Sequence, residues 1–455
     1  MKNDRQIYIC SKCGAQNLKW AGRCAECGGW GTLEQDDGSP VASNNDRPAA
    51  KPGKTQSFKA LESSHDKPAA TGLAYWDRVL SGGFVSGSVT LLGGEPGIGK
   101  STLLAQLGLL MCGRGSKVLY VTGEESPSQI RLRLARFVTE IPSSFDFLDL
   151  TQADVIAATI REHKPALTII DSVQTLRLAG VPGEAGNPTQ IRASSAVISE
   201  AAKQTGSPVV LVGQVTKEGE LAGPRLLEHL VDSVLMMEGD RYQTFRLLRV
   251  VKHRFGNTEE SAVLNMTEQG LSEVTDPSAA FIADRPKGVS GSIVTCLMQG
   301  TRPLLVEIQA LVSGSGIGIP SRKTNGLDLN RVNMILAVLG RRAGLSFGDQ
   351  DVFLNAVGGV EAKDPSIDLA LALALASAKT NQAIPADLIA LGEVGLAGEI
   401  RPVPRLNLRL KEAARLGFKT AITPFYKNPL TVDGLTLVSC KTLVETLDAA
   451  LKGCS

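Results

Sequence analysis

Gly94-Glu-Pro-Gly-Ile-Gly-Lys-Ser-Thr102, GEPGIGKST, fits the phosphate-cradling pattern GxxxxGK[ST] and sits where that pattern has to sit. The apolar run Ser88-Val-Thr-Leu-Leu-Gly93 leads in as a strand, and Leu103-Leu-Ala-Gln-Leu107 leads out as a helix. In that setting the N–H groups of Gly97 and Gly99 face a triphosphate at a helix N-terminus, Lys100 neutralises the β/γ charge, and the Ser101 hydroxyl ligates magnesium. Gly94, Glu95, Pro96, Gly97, Ile98, Gly99, Lys100, Ser101 and Thr102 are therefore the candidate residues for binding ATP, or a close relative, with Mg2+.

At 455 residues and 43% hydrophobic content the chain exceeds a single core, so two or three domains are expected. No apolar run reaches the roughly 18 residues of a membrane span, and MKNDRQIYIC lacks the core of an export signal. The expectation is a cytoplasmic protein with no membrane partner. A net charge of +2 means that any nucleic-acid surface is local.

Four of the eight cysteines, Cys10, Cys13, Cys24 and Cys27, form two CxxC pairs, with Gly14 and Gly28 following them as thiolate knuckles need. Four thiolates make a closed structural Zn2+ site, and a reducing cytosol disfavours the alternative of two disulfides. Residues 35–56 are rich in Asp, Asn, Ser, Pro, Ala and Gly and read as a flexible linker. From Phe58 to about Met266, apolar runs at Val89–Leu92, Lys117–Val121, Leu167–Ile170, Val209–Gly213 and Ser233–Met237 alternate with helical stretches. That alternation is the grammar of a mostly parallel α/β sheet. Beyond about Ser272 the strand-like runs Gly291–Leu297 and Leu304–Leu311 and the helices Asn330–Ala343 and Leu369–Lys379 predict a second globular unit.

ATP hydrolysis also needs carboxylates for magnesium and for the attacking water, and a group that reports the γ-phosphate. Asp171 ends the strand Ala166–Ile170, where a magnesium-shell aspartate belongs; a strand-ending turn aspartate is the alternative. Glu124 and Glu125 follow the strand Lys117–Gly123, and Glu124 is the favoured water-orienting base. The alternative is that both cap the helix after Ser126-Pro127. Gln214 leaves the next strand as a candidate phosphate sensor. Arg241 to Gly256, RYQTFRLLRVVKHRFG, carries five Lys/Arg and no acid. On a strand Lys252 and Arg254 point the same way and suit one polyanion, such as a neighbouring subunit's γ-phosphate; a solvated face is the plainer reading.

Over essentially its full length the chain resembles the bacterial RadA (Sms) family of DNA repair proteins. The resemblance rests on YICSKCGAQNLKWAGRCAECGGWGTL, GGEPGIGKST, VTGEES, VTKEGELAGPRLLEHLVD, KHRFG and GEVGLAGEIRPV. The lead-in Thr71 to Phe84 is similar to that of RecA-like ATPase cores. The resemblance implies an N-terminal zinc finger (1–34), the linker, a RecA-like P-loop ATPase core (57–271) and a Lon-protease-like α+β domain (272–455). It further implies a homohexameric DNA motor of the DnaB type on single-stranded DNA, which branch-migrates or extends recombination intermediates beside a RecA-type recombinase. By position it makes Lys100, Ser101, Glu124 and Asp171 the nucleotide and metal residues, and Lys252 and Arg254 the finger, with His253 where asparagine is usual.

In such motors the loops after the magnesium and sensor strands face the channel. Here they are residues 177–192, expected to be mobile, and 216–225, with Lys217 and Arg225 as DNA candidates. Arg322, Lys323, Arg331, Arg341 and Arg342 would hold duplex DNA if they shared one face. The rival functions are a Lon-like peptidase and a DNA-independent ATPase switch. Ser366 in KDPSID occupies the nucleophile position, but Asn407 falls where the lysine base should be, and Lys411 lies one turn beyond. Ser366 also reads as an N-cap of the helix that follows.

Overall fold

The computed structural model describes residues 8–12, 15–17, 19–24, 28–35, 67–214, 227–239, 245–315, 320–358, 360–427 and 430–451. The linker beyond residue 35, Cys13, Cys27, Lys217 and Arg225 lie outside the described residues. Three short antiparallel strands, β1 (Tyr8–Cys10), β2 (Gln16–Asn17) and β3 (Leu33–Gln35), form an N-terminal sheet in the order β2-β1-β3.

The central strands are mostly apolar and buried along nearly their whole length, as strands covered on both faces are. They are β4 (Val89–Gly94), β5 (Val118–Thr122), β7 (Leu167–Asp171) and β8 (Val209–Gln214). Between β5 and β7 comes β6 (Phe145–Asp149), an edge strand whose sequence FDFLD is half polar. That mixed pattern hid it from the sequence reading, because an edge strand needs no continuous apolar run. With β9 (Ser233–Glu238), β10 (Phe245–His253), β11 (Ser261–Thr267) and β12 (Gly270–Glu273), they make a nine-stranded sheet in the order β12-β11-β10-β9-β4-β8-β7-β5-β6.

The chain divides into two compact units. One comprises Met1–Leu73, Ser81–Gly93 and Leu104–Val234. In it β5 pairs in parallel with β6 and β7, and β7 with β8. Its core is built from those strands and from α4 (Ala153–His163) and α5 (Pro188–Thr205), through Leu119, Val121, Ile156, Ile160, Ile170, Ile198 and Leu211.

The other unit comprises Ala74–Leu80, Gly94–Leu103 and Leu235–Ser455. Its seven-stranded sheet has the order β15-β16-β14-β13-β17-β20-β21, and a two-stranded ribbon pairs β18 (Glu393–Val394) with β19 (Ile400–Arg401). The seven are β13 (Ser292–Gln299), β14 (Arg302–Gly314), β15 (Arg322–Asn325), β16 (Gln350–Ala356), β17 (Leu388–Ala390), β20 (Thr420–Pro424) and β21 (Thr436–Cys440). The Ala/Leu-rich helix Asp368–Thr380 is buried almost end to end in this core, with helix Leu329–Ala343 beside it. No helix among the described residues is long and apolar enough to cross a membrane.

A buried carboxylate ties β4 to the segment before β9. Asp232 accepts the Val89 N–H at 3.0 Å, and its own N–H reaches the Val89 carbonyl at 2.9 Å. Asp232→Ala is expected to lower stability by about 1–3 kcal/mol by stranding that buried donor. The check is the denaturant midpoint at unchanged m-value.

Candidate functional site

The glycine loop is held by its own backbone. Lys100 opens helix α2 (Lys100–Gly113), and Gly97 and Gly99 take φ of +78° and +114°, which only glycine adopts without strain. At Gly94 an added Cβ would lie 2.6 Å from the Met237 carbonyl oxygen, so glycine is required by close approach. The buried Lys100 Nζ donates to the Gly94 and Glu95 carbonyls at 2.8 and 2.9 Å. Arg246, also buried, donates from Nε to the Ile98 carbonyl at 3.2 Å and so braces the loop from β10. The sequence reading placed Arg246 in a basic run without a role; its alternation with buried Leu248 and Val250 was the available signal.

The carboxylates gather because β5, β7 and β8 are parallel, so their C-terminal ends leave one edge. Thr122 pairs with Asp171, which levels two of those ends. Two residues on, Glu124 accepts from the Ser172 hydroxyl at 2.5 Å and from Gln214 Nε2 at 3.4 Å. Asp171 accepts from the Tyr120 hydroxyl at 2.8 Å. Burial, then the Asp171 charge, pushes the Tyr120 phenol well above its ordinary pKa, which keeps it a donor. Glu125 is taken up in an ion pair with Arg133. Helix α3 (Pro127–Leu134) is capped by Ser126 and Gln129 in a capping box, so neither glutamate serves as its cap. Glu124, Asp171 and Gln214 are thus brought together, with Ser172 and Tyr120 as partners that the sequence reading did not name.

At the end of β10, His253 is buried while Lys252 is half-buried and Arg254, just past the strand, is exposed. Burial lowers the His253 pKa from its ordinary 6.5, partly offset by a hydrogen bond with the Leu80 backbone. Residues 177–192 run as an irregular segment into helix Pro188–Thr205. The buried Gln190 side chain accepts the Leu178 N–H at 2.8 Å and donates to the Val181 and Gly183 carbonyls at 2.6 and 3.3 Å. One amide thereby satisfies backbone groups that would otherwise need water.

In the N-terminal sheet Cys10 and Cys24 are both 1% exposed. The Gly28 N–H closes a turn onto the Cys24 carbonyl at 2.9 Å with Gly28 at φ +69°. Two buried sulfurs on tight turns suit a soft metal ion better than solvent.

A family profile described as an AAA domain matches residues 58–220, one described as a rubredoxin metal binding domain matches 8–35, and one described as subunit ChlI of Mg-chelatase matches 317–427. "DNA repair protein RadA" of Pseudomonas aeruginosa is 44% identical over 454 residues, covering 99% of each chain. The protein of that name in Bacillus subtilis is 42% identical over 466 residues, covering 100% of both. That of Escherichia coli is 42% identical over 455 residues, covering 98% of both. The chain belongs to the RadA family of DNA repair proteins. RadA-family membership gives it a RecA-like ATPase core, an N-terminal metal-ribbon domain and a ChlI/Lon-like C-terminal domain. The AAA match spans the glycine loop and the carboxylate cluster together and implies ATP with Mg2+.

In the Lon-like part of this RadA-family chain, Ser366 is buried inside a short 3-10 turn, Pro365–Ile367. The cap of that turn is Asp364, which accepts the Ser366 N–H at 3.0 Å; Ser366 is therefore not the N-cap the sequence suggested. Arg409, two residues past Asn407 and 1% exposed, donates from Nη1 to Ser366 Oγ at 2.7 Å and from Nη2 to Asp364 at 2.6 Å. A guanidinium stays protonated and cannot accept a hydroxyl proton, so Ser366 has no base there. Burial opposes ionisation of Asp364, but Arg409 and the Ser366 N–H hold its carboxyl below the usual range. Arg331 leaves the proposed basic face: it is paired with the buried Asp368 and with Glu393. Arg322 hydrogen-bonds Asn333, and Arg341 and Arg342 stand exposed at a helix end.

Arg409→Ala is expected to cost about 1–3 kcal/mol in a chemical melt, because it leaves the half-buried Asp364 carboxylate, the buried Ser366 hydroxyl and the Cys296 carbonyl without their shared donor. His253→Asn is expected to flatten the pH dependence of stability. The unfolded chain protonates near pH 6.5 before the folded one does, so wild-type stability falls as pH drops through that value. Paired melts at neutral and mildly acidic pH read the difference in slope.

Proposed function

We propose that the chain is an ATP-driven motor that moves on single-stranded DNA and branch-migrates or extends recombination intermediates. It works as a cytoplasmic homohexamer beside a RecA-type recombinase. The observation that carries this reading is the carboxylate cluster, in which Glu124 is held by Ser172 and Gln214 while Glu125 is committed to Arg133. A carboxylate fixed by two neutral donors suits the orienting of an attacking water, and a glutamine hydrogen-bonded to it suits the sensing of the γ-phosphate.

In this reading Gly94 to Thr102 bind the nucleotide, Lys100 neutralises its β/γ charge, and Ser101 and Asp171 hold the metal. Magnesium, when bound, supplies charge neutralisation on the phosphate oxygens. Lys252 and Arg254 of one subunit reach the γ-phosphate bound by its neighbour, which is why the active form is a ring. The exposure of Arg254 just past the buried His253 supports that assignment. Lys217 and Arg225 follow the DNA backbone without reading bases. Cys10, Cys13, Cys24 and Cys27 bind Zn2+. We divide the chain into a zinc finger (1–34), a linker (35–56), a motor domain (57–271) and a Lon-like platform (272–455). The Arg409–Ser366 contact speaks against the peptidase alternative.

A forked-DNA unwinding assay with particle imaging tests the reading. Wild type is expected to unwind the fork and form rings, and Lys100→Ala to do neither chemistry nor unwinding. Arg254→Ala is expected to bind nucleotide yet lose about 10³-fold in turnover, with partial recovery on mixing with Lys100→Ala protein. Turnover indifferent to DNA would favour an ATPase switch instead.

A further inference from the structure

The loop that carries Arg254 returns through Asn257, whose side chain accepts the Glu259 N–H at 2.9 Å, and Glu259 is where it is fastened. Both Glu259 carboxylate oxygens lie against Arg405 Nη2, at 2.8 and 2.7 Å, and Arg405 Nη1 donates to the Gly300 carbonyl at 2.9 Å. The Thr301 N–H donates to the Glu259 carbonyl at 2.8 Å, and Ser261 Oγ reaches the Gln299 carbonyl at 3.3 Å. Gly300 sits in the turn between β13 and β14 at φ +65°, and a Cβ there would fall 1.5 Å from the Glu259 carbonyl oxygen. No other residue permits that approach. Arg405 itself holds a left-handed backbone, φ +56°, directly before helix Leu406–Arg415. From the far end of that helix Arg415 grips Asp276 at 2.7 and 2.9 Å.

An isolated, half-exposed ion pair contributes little. This one differs because its carboxylate lies five residues from Arg254 and its arginine also ties down the turn against which the loop's backbone is bonded. We infer that Arg405 is a positioning residue for ATP hydrolysis: the Lon-like part, through Arg405 and the Gly300 turn, sets the direction in which Lys252 and Arg254 are presented. The inference rests on the reading of those two cations as the finger. Placement matters there because a small displacement of a charge that completes a transition state costs rate and leaves ground-state binding alone.

The test measures steady-state ATP turnover and binding of a fluorescent ATP analogue on the full chain. Four proteins are compared: Arg405→Ala, Glu259→Arg, the reversed pair Glu259→Arg/Arg405→Glu, and Arg254→Ala as reference. Arg405→Ala is expected to lose about fivefold or more in kcat with nucleotide affinity within about twofold of wild type, and the reversed pair to regain turnover relative to Glu259→Arg. Wild-type kcat in Arg405→Ala beside an inactive Arg254→Ala overturns the inference and leaves the finger reading standing. Full turnover in Arg254→Ala removes the finger reading and the inference with it. Affinity falling in step with kcat marks general damage and also overturns it.

Discussion

Parallel pairing of β5, β7 and β8 is the constraint on which the chemistry depends. In a parallel ladder every C-terminal end emerges at the same edge, so polar residues just past each strand meet without any loop having to search for them. The register Thr122 with Asp171 and Ile170 with Leu211 fixes how far each end protrudes. A slip of one residue would turn every side chain of a strand to its other face, and the mostly apolar interiors of these strands, buried on both faces, would report the error weakly. What reports it more strongly is the polar fringe: Tyr120 on Asp171, Ser172 and Gln214 on Glu124. The same contacts that prepare the carboxylates therefore also pin the register.

Much of this was legible because it is written in local pattern. The glycine loop follows from nine residues, and the strands from apolar runs that the structure returns within three residues at each boundary. The inward turn of His253 was not legible, because Arg246, Leu248 and Val250 set the buried side of β10 and the alternation breaks between Val250 and His253. What stayed hidden depends on partners distant in sequence or on a choice between neighbours. Glu124 and Glu125 differ only because Arg133, two helical turns on, takes the second of them. Gln190 looks like any glutamine in the first turn of a helix until a loop folds over it. Arg331 looks like a free surface cation until helix Asp368–Thr380 brings Asp368 beneath it. The Lon-like lysine position was counted to Asn407, yet the side chain that reaches Ser366 comes from Arg409. Counting along a chain does not say which side of a helix faces inward.

Cations in this protein thus divide into two populations. Arg246, Arg331 and Arg409 are internal braces that satisfy carbonyls and carboxylates, where a planar fork of donors is more useful than a point charge. Lys252 and Arg254 stand at the end of a strand instead. Composition cannot separate the two, which is why a net charge of +2 said so little.

The Ser366–Arg409–Asp364 trio makes one guanidinium answer to several acceptors. Exchanging Arg409 for lysine alone would offer a candidate base, but it would also withdraw donors from Asp364, Ser366 and the Cys296 carbonyl at once.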